Sequence, residues 1–425
     1  MKYLLSIFIL FALLSCSTAP VTPYKAPNPV IIPQDYFGVV HAGLEGTDEE
    51  FQLLNEMNVV WILYTFYWNS IEREKGTFDF SRYDSFVDKA LQEGKKIVVV
   101  LAYASQWITE EFGNDIYIPG RYIPQYLNYV EALVTHYKGK IDAWNIWNEP
   151  NLNMFWKGTD QEYIELARQA AQKIRETDPD AYIIGGSFSR TPRSLILKMN
   201  KEGAMENLDA LSFHPYALSP RWTMKVCDNF IKTMSDINFT GDILVTEMGF
   251  PTGGYYPTRV SLKNMPSYVV KTIAGCAARG TRMFLWYQFK DRYNYNEVQN
   301  KHNSGNFFGL VYPDLSRKDG AWAYELCARY LPASRYTPEL PVRENVPSAI
   351  ASFCFIDGVS GNTLILWNDI NGKRKVKISL SASFNLHDIS TGESTRFTDE
   401  ITLEITNKPV FITWQDSTVP RISGN

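Results

Sequence analysis

Residues 36–330 alternate eight times between a short apolar segment and a longer segment with helical periodicity, and this alternation constrains the fold most strongly. The short segments are rich in β-branched and aromatic residues and almost continuously apolar, as expected of strands covered on both faces. The predicted strands span residues 37–42, 59–65, 96–102, 141–146, 181–186, 210–214, 242–246 and 281–286. Eight strand–helix repeats of this length predict an α/β fold, the (β/α)8 or TIM barrel, whereas a doubly wound sheet rarely has eight.

The pattern changes after residue 330. Residues 331–348 contain four prolines, which end the last helix and predict a linker. In residues 349–425 the apolar period becomes two, interrupted by turn signals, which predicts a small C-terminal antiparallel β domain of sandwich-like form. Because a sheet of this size needs a second apolar surface, we expect the β domain to pack against the barrel.

The first 35 residues have the composition of a targeting segment. Lys2 precedes an apolar run over residues 4–14 that is too short to span a bilayer stably and is typical of a secretory signal peptide. The run ends at Cys16 in the sequence LLSC, which resembles a bacterial lipobox and implies cleavage before Cys16 and lipidation of its thiol. An ordinary signal peptide with an incidental cysteine is the alternative. Residues 17–35 contain five prolines and predict an extended tether. We therefore expect an exported protein, lipid-anchored to the cell envelope, with the outer membrane favoured by the residue after Cys16.

Composition excludes several classes of partner. The chain has 42 basic and 46 acidic side chains, so no excess positive charge is present to neutralise a phosphate backbone, and nucleic acid is not an expected partner. The histidines and the cysteines after Cys16 show no metal-binding spacing, and no nucleotide-binding glycine loop is present; we expect neither metal nor cofactor. Cys276 and Cys327 lie in apolar helical segments and are predicted to be buried thiols. Aromatic residues make up 14% of the chain, which suits sugar binding but also a large β-rich core.

Two glutamates associated with predicted strands carry the main chemical signal. Glu149 lies in the sequence WNEPN after the fourth strand, and Glu247 lies in TEMGF at the end of the seventh. Because such barrels build their sites at the carboxyl ends of the strands, both carboxylates are expected at the same end. Glycoside hydrolysis needs such a pair: one carboxyl protonates the leaving oxygen and the other attacks carbon or activates water. Asn148 is placed to donate to a sugar hydroxyl. Either glutamate alone would be read as a solvated loop carboxylate.

The sequence around these glutamates resembles the clan A glycoside hydrolases and, within them, the family 39 glycoside hydrolases. The matching segments are WNEPNL at 147–152 with FW at 155–156, SFHPYA at 212–217, TEMGF at 246–250, and WNSIE at 68–72 followed by GTFDF at 76–80. LWND at 366–369 and DISTGE at 388–393 resemble the β domain of that family. The resemblance covers essentially residues 36–415.

The resemblance implies a retaining hydrolase that cleaves β-glycosidic bonds of an oligo- or polysaccharide, with Glu149 as acid/base and Glu247 as nucleophile. It implies that His214 and Tyr216 support the nucleophile, so we expect their hydrogen bonds to keep the pKa of Glu247 low. It also implies that Trp286, at the end of the eighth strand, forms the aromatic floor of the sugar subsite. A histidine that caps a strand end and a core tryptophan are the alternatives for His214 and Trp286.

Three further residues follow predicted strands and are candidates for binding substrate. His41 follows the first strand, and Tyr103 and Trp107 follow the third. They are expected to contact sugar hydroxyls or stack on sugar rings, with core packing as the alternative. The segment after the eighth strand matches no xylosidase pattern, so exo-xylosidase specificity is not implied. A non-catalytic glycan-binding lipoprotein and a transglycosidase that uses the same residues remain the alternative functions.

Overall fold

The computed structural model describes residues 29–42, 44–254, 259–294, 303–370 and 372–424. A first short strand, β1 (Val30–Ile31), belongs to a second sheet, and the next eight strands close in sequence order into a parallel barrel. The barrel strands are β2 (Phe37–Val40), β3 (Trp61–Tyr67), β4 (Lys96–Ala102), β5 (Ala143–Ile146), β6 (Tyr182–Ser189), β7 (Ala210–His214), β8 (Asp242–Met248) and β9 (Met283–Trp286). The predicted (β/α)8 barrel is therefore confirmed.

Helices cover the outside of the barrel. They are α1 (Asp48–Glu56), α2 (Trp68–Ile71), α3 (Ser81–Gln92), α4 (Gln106–Phe112), α5 (Ile123–His136), α6 (Asp160–Thr177), α7 (Arg193–Lys201), α8 (Pro220–Asp236), α9 (Met265–Ala277) and α10 (Asp319–Tyr330). Both α1 and α6 begin with a threonine and a glutamate that cap each other's backbone N–H groups, which explains why these helices start where they do. Within the described residues, no helix is long and apolar enough to cross a membrane.

Three barrel strands run further than the sequence predicted. The strand β3 continues past Thr65 to Tyr67, β6 continues past Gly186 to Ser189, and β8 continues past Thr246 to Met248. Both β6 and β8 change register against a neighbour in this extra stretch. For these two strands the sequence prediction ended early because glycines and a polar pair interrupt the apolar pattern, whereas the structure keeps these residues extended. Glu247 is consequently held on a strand and not on a loop.

The C-terminal region forms one nine-stranded, mostly antiparallel sheet. Its remaining strands are β10 (Arg335–Tyr336), β11 (Val342–Glu344), β12 (Ile350–Gly358), β13 (Gly361–Asn368), β14 (Arg374–His387), β15 (Ser394–Ile405), β16 (Val410–Trp414) and β17 (Arg421–Gly424). The antiparallel β domain is thus confirmed, and its nine strands belong to one continuous hydrogen-bonded sheet, in which the first half of β14 pairs with β17 and the second half with β16. That sheet encloses a core of its own, which includes Ile378, Phe384 and Trp414.

Two predicted connecting segments contain strands. The end of the predicted tether pairs with the predicted linker, because β1 is antiparallel to β10. Val30 is 6% exposed and Ile32 is fully buried, so the boundary at residue 35 is wrong for the described part of the tether. The apolar triplet 30–32 is too short, between prolines, to give a strand signal in the sequence. The predicted signal peptide, the lipidation site Cys16 and residues 17–28 lie outside the described residues.

The β domain packs on the barrel, as expected from its size. Phe355, Trp367 and Phe411 belong to the same hydrophobic core as the barrel residues. Lys271 of α9 donates from Nζ to Asn407 Oδ1 at 2.9 Å, which adds a polar contact.

The cysteines in the described residues are buried free thiols: Cys227, Cys276, Cys327 and Cys354. This confirms the prediction for Cys276 and Cys327.

Candidate active site

Glu149 follows β5 in a turn of unusual backbone conformation. Trp147 and Glu149 have φ angles of 66° and 42°, and Ser187 on the neighbouring strand has a φ of 45°. Residues with a side chain rarely adopt the left-handed region, and such strain is typical of functional sites. The N–H group of Glu149 donates to the Ser187 carbonyl at 2.9 Å, and the residue is 7% exposed. The turn therefore holds the Glu149 carboxylate in a fixed position that is almost fully shielded from solvent.

A buried polar network supports this turn from inside the barrel. Asn145 donates from Nδ2 to the Trp147 carbonyl at 2.8 Å, and its Oδ1 accepts from the Ser187 hydroxyl at 2.9 Å. Ser212 accepts at its hydroxyl from the Ser187 N–H group at 2.9 Å. These side chains are fully or almost fully buried. Since the network joins β5, β6 and β7, it fixes the Glu149 turn to two neighbouring strands.

Glu247 lies on β8, and its carboxylate faces residues from β7 and the segment after it. The Tyr216 hydroxyl donates to Glu247 Oε1 at 2.8 Å. The Glu247 side chain is 17% exposed, so it retains access to a ligand. The predicted contact between Tyr216 and Glu247 is confirmed.

His214, at the end of β7, lies between the two glutamates. Its Nδ1 atom is 2.9 Å from Glu149 Oε1 and 3.9 Å from Glu247 Oε2, and the residue is 1% exposed. Those two oxygens are therefore no more than 6.8 Å apart, the sum of 2.9 Å and 3.9 Å. The hydrogen bond of His214 goes to Glu149, which corrects the expectation that it supports Glu247 by a hydrogen bond.

The pKa of Glu247 is raised, not lowered. Burial raises it most, because the surrounding protein solvates the carboxylate less well than water does, and the negative charge of Glu149 raises it further. The positive charge of His214 and the hydrogen bond from Tyr216 oppose these effects without outweighing them. The expectation of a low pKa for Glu247 is therefore wrong, because it counted the donors and omitted the cost of burial.

The pKa of His214 is raised above its ordinary value of 6.5. Burial lowers it, but the charge of Glu247 and the hydrogen bond and charge of Glu149 together have the larger effect. The charged imidazolium is thus favoured between the two carboxylates. It can donate from Nδ1 to Glu149 while its charge partly offsets that of Glu247.

Asn148 and Tyr103 form one wall beside the Glu149 turn. Asn148 donates from Nδ2 to the Tyr103 hydroxyl at 3.3 Å. The Tyr103 ring meets Trp147 edge-on with centroids 5.2 Å apart, and the Tyr67 ring lies 6.3 Å away. Tyr67, which no sequence pattern singled out, is 38% exposed and extends this aromatic wall towards solvent.

Trp286, His41 and Trp107 pack mainly on other residues. Trp286 is fully buried and donates from Nε1 to the Phe308 carbonyl at 3.2 Å, so it is a core residue and not an open floor for a sugar. The His41 ring stacks on Tyr64 with centroids 3.4 Å apart. Burial and the charge of Lys290 lower the pKa of His41 to about 3, so this ring is neutral.

Trp107 packs edge-on against Trp68, with ring centroids 5.5 Å apart. Its Nε1 atom is buried and has no hydrogen-bond partner among the described residues. Within the described ranges, no hydrogen bond or ring contact joins Trp286, His41 or Trp107 to either glutamate.

Two residues near Glu247 were missed by the sequence analysis. Tyr287 is 6% exposed, and burial and the charge of Glu247 raise its pKa well above the ordinary value. The positive charge of Arg292 lowers the pKa of both Tyr287 and Glu247. Both residues lie in the segment after β9, whose sequence matched no xylosidase pattern. The only sequence signal for them is that they closely follow the end of a barrel strand.

In the part of the chain that the structure describes, no group of three or more His, Cys, Asp or Glu residues is arranged to hold a metal ion.

The sequence of the barrel matches a known family over part of its length. The model for the glycosyl hydrolases of family 39 matches residues 52–236. Endo-1,4-beta-xylanase A of Phanerodontia chrysosporium is 25% identical over 202 residues, which are 43% of this chain and 48% of that protein. The chain thus spans about half the length of this curated relative.

Solved structures share the fold over most of the chain. A family 39 glycoside hydrolase from Bacteroides cellulosilyticus superposes with a TM-score of 0.72 at 18% identity, covering 90% of this chain and 81% of that one. A family 39 beta-xylosidase from Caulobacter crescentus has a TM-score of 0.65 at 14% identity, covering 92% of this chain and 98% of that one. The chain thus matches the family 39 glycosyl hydrolase model over residues 52–236 and shares the fold of these solved structures over most of its length.

Proposed function

We propose that this protein is a retaining glycoside hydrolase that cleaves β-glycosidic bonds of an oligo- or polysaccharide. The observation that carries the proposal is the arrangement of two carboxylates around one buried imidazole, with facing oxygens no more than 6.8 Å apart, the sum of 2.9 Å and 3.9 Å. Retaining enzymes hold their two carboxyl groups about 5–5.5 Å apart, and inverting enzymes about 6.5–9.5 Å apart, so the upper bound admits both and the retaining mechanism is taken from the resemblance to the family 39 glycoside hydrolases. The xylanase and xylosidase names of the relatives support a β-linked substrate.

In the first step, ionised Glu247 attacks the anomeric carbon and the glycosidic bond breaks. Protonated Glu149 transfers its proton to the leaving oxygen. The Tyr216 hydroxyl, which donates to Glu247 Oε1, holds the carboxylate so that its other oxygen, Oε2, is available for attack. As Glu149 becomes negative, His214 stabilises the new charge through the 2.9 Å contact with Oε1.

In the second step, water resolves the covalent intermediate. Glu149, now ionised, removes a proton from water, and the hydroxyl oxygen replaces Glu247 on the anomeric carbon with retention of configuration. Asn148 and Tyr103 lie beside the Glu149 turn and are placed to bind hydroxyls of the substrate. A transglycosidase would use the same residues and differ only in that a sugar replaces water in this step.

We also propose that the protein is exported and held at the cell envelope by lipid on Cys16. The support is the lipobox-like sequence and the proline-rich segment after it. Expression of Cys16→Ser in a bacterial host tests this: the variant should leave the membrane fraction in which the wild type is found. An unchanged membrane fraction would exclude the lipid anchor.

The division of labour between the glutamates is tested with Glu149→Ala and Glu247→Ala on activated aryl β-glycosides and unactivated oligosaccharides. Glu149→Ala should lose about 10²–10⁴-fold on poor leaving groups but far less on activated ones, which scarcely need a proton to depart. Azide should restore turnover of Glu149→Ala and give a β-glycosyl azide, because azide needs no general base. Glu247→Ala should lose both steps, and azide should not restore a retained product. Identical behaviour of the two variants on both substrate types would refute the assignment.

The stereochemical outcome is an independent test. The first product seen by NMR during wild-type hydrolysis should have the β configuration of the substrate, and an α product would exclude the retaining mechanism. A non-catalytic glycan-binding protein would show binding of oligosaccharides with no turnover of any aryl glycoside. The retention of both glutamates, His214 and Tyr216 in one contact network favours the enzyme.

A further inference from the structure

A cavity of about 310 Å³ lies beside the Glu149 turn. The segments after β5 and β6 and one face of α8 form its walls, which include Asn151, Ser189, Arg190 and Asn229. Ligand sites typically have volumes of about 300–1,000 Å³, so the size of this cavity suits a single sugar ring. None of the residue roles assigned above uses it.

The walls of the cavity are firmly joined to the candidate active site. Asn151, two residues after Glu149, donates from Nδ2 to the Ser189 carbonyl at 3.0 Å and accepts at Oδ1 from the Ser189 N–H group at 2.9 Å. The Arg190 N–H group donates to the His214 carbonyl at 3.0 Å. A ligand in the cavity would therefore lie on the side of the site that holds the proposed acid/base, where a leaving group departs.

The described lining of the cavity carries a single charge, and that charge is positive. Among the described residues that form its walls, none is acidic and Arg190 alone is ionisable. Arg190 is exposed and has a φ of 59°, and its guanidinium makes no hydrogen bond or ion pair with the residues that the structure describes. By contrast, Arg193, three residues further on, pairs with Asp236 at 2.8 Å.

An amide side chain and an exposed aromatic side chain lie on α8 near this arginine. The Asn229 side-chain amide has no hydrogen bond to any described residue, while its carbonyl accepts from Thr233. Trp222 lies one turn before Val226 on the same face of α8, and it is 46% exposed. Lys225 Nζ lies over this ring, 4.2 Å from its centroid, so a sugar ring would stack on the face that the lysine leaves open.

We propose that this cavity is a subsite for a sugar residue that carries an anionic group, either a carboxylate or a sulfate ester. The Arg190 guanidinium would bind the anion with two parallel hydrogen bonds, as its fork geometry allows. The Asn229 amide would bind a ring hydroxyl. The substrate class of the proposed hydrolase is then a β-linked glycan with acidic residues near the bond that is cleaved. This assignment of substrate rests on the proposed function, whereas the binding site itself does not.

Binding to the whole protein, measured by calorimetry or ligand-observed NMR, tests the subsite without requiring turnover. The probes are methyl β-D-glucuronide, methyl β-D-glucoside and the 6-sulfate of that glucoside. The glucuronide should bind at least about tenfold more tightly than the neutral glucoside, a difference of about 1.4 kcal/mol. Added salt should weaken this preference, because the arginine is exposed. If the 6-sulfate binds as tightly as the glucuronide, the site recognises negative charge in general. If the 6-sulfate binds as weakly as the neutral glucoside, the site is specific for a carboxylate.

Variants locate the binding. Arg190→Ala should abolish the preference for the acidic sugar, Arg190→Lys should retain part of it, and Asn229→Asp should reduce it by placing a like charge in the cavity. Arg193→Ala is the matched control, since it removes an equal charge that lies outside the cavity, and it should leave the preference intact. Glu149→Ala should also keep the preference, which separates this site from the catalytic machinery. Equal binding of the three sugars, no detectable binding of any of them, or a preference that survives Arg190→Ala would overturn the proposal.

Discussion

The Nδ1 atom of His214 lies 2.9 Å from Glu149 Oε1, so the buried imidazole at the end of β7 is bonded to the glutamate of β5, while the glutamate of β8 lies 3.9 Å from the same atom. One nitrogen thus faces two carboxylates that come from different strands. A positive charge at this position offsets part of the repulsion between them, and its proton is within reach of the proposed acid/base. The chemistry of the two carboxylates therefore depends on a third residue, His214.

Replacement of Glu247 by glutamine should stabilise the fold, and the gain should grow with pH. The pKa of Glu247 in the folded protein is raised above its ordinary value of 4.5, a net effect that already includes the attraction of His214. Its contribution to stability is therefore fully present below pH 4.5 and is lost as the pH rises through the raised pKa. Because glutamine does not ionise, the variant does not lose stability in this way. For each unit by which folding raises the pKa of Glu247, the free energy of unfolding of the wild type falls by about 1.4 kcal/mol at high pH.

Urea unfolding of wild type and Glu247→Gln at pH 4 and pH 8 checks this prediction. Glu393→Gln, which changes an exposed glutamate, is the control and should follow the wild type at both pH values. A Glu247→Gln variant that is less stable than the wild type at pH 8 would contradict the direction of the shift.

Tyr216→Phe should move the acidic limb of the pH–activity profile to higher pH. The Tyr216 hydroxyl donates to Glu247 at 2.8 Å, and this hydrogen bond lowers the pKa of Glu247. Without it the carboxylate ionises at higher pH, and activity at low pH falls. Hydrogen bonds to charged groups are worth about 1.5–3 kcal/mol, which corresponds to a shift of about one to two pH units. Measurement of kcat/KM from pH 4 to pH 9 on an aryl glycoside gives the limb directly.

Tyr182→Phe is the matched control for that experiment. The Tyr182 hydroxyl donates to Asp242 at 2.7 Å at the amino-terminal end of the barrel, away from both glutamates. This variant should lose stability without a change in the acidic limb. Equal profiles for Tyr216→Phe and the wild type would show that the hydroxyl does not control the ionisation of Glu247.

Asn145→Ala should destabilise the protein and reduce activity together. The substitution leaves the buried Trp147 carbonyl without its donor and leaves the Ser187 hydroxyl with Ser212 alone as a partner, which costs about 2–5 kcal/mol including the space left behind. Since the strained Glu149 turn depends on these contacts, the carboxylate should also lose its position. Chemical denaturation and kcat/KM of the same preparation measure the two effects.

Thr246→Val is the comparison for Asn145→Ala. The Thr246 hydroxyl is fully buried next to Glu247 and has no hydrogen-bond partner among the described residues. Valine has nearly the same shape and removes an unpaired polar group, so this variant should be as stable as the wild type or more stable, with activity retained. A large loss of activity in Thr246→Val would show instead that this hydroxyl serves the reaction.

Asp291→Asn should destabilise the segment after β9. Lys318 and Asp291 form a buried ion pair at 2.6 Å, and burial raises the pKa of Asp291 to about 6 despite the charge of Lys318. Removal of the aspartate charge leaves the lysine charge buried and unpaired, which costs about 3–5 kcal/mol. The double variant Asp291→Asn with Lys318→Met should recover most of this loss. If the single variant unfolded at the same denaturant concentration as the wild type, the pair would not hold this segment.

The sequence by itself determined the barrel, and in two cases the limits of its strands. Residues 96–102 and 210–214 were predicted as strands and are β4 and β7. Strand and helix periodicity are local, because backbone sterics and the alternation of apolar side chains act over a few residues. The same reasoning placed Glu149 and Glu247 at one end of the barrel, since the carboxyl ends of parallel strands meet there.

Only the tertiary structure decided which groups touch. The hydrogen bond of His214 to Glu149, the burial of Trp286 and the pairing of β1 with β10 depend on side-chain rotamers and on distances between segments far apart in the chain. The raised pKa of Glu247 likewise follows from the loss of water around it, which no local pattern records. Solvation and contact change over a few ångströms in three dimensions, whereas a sequence pattern fixes only the direction in which each side chain leaves its own strand or helix.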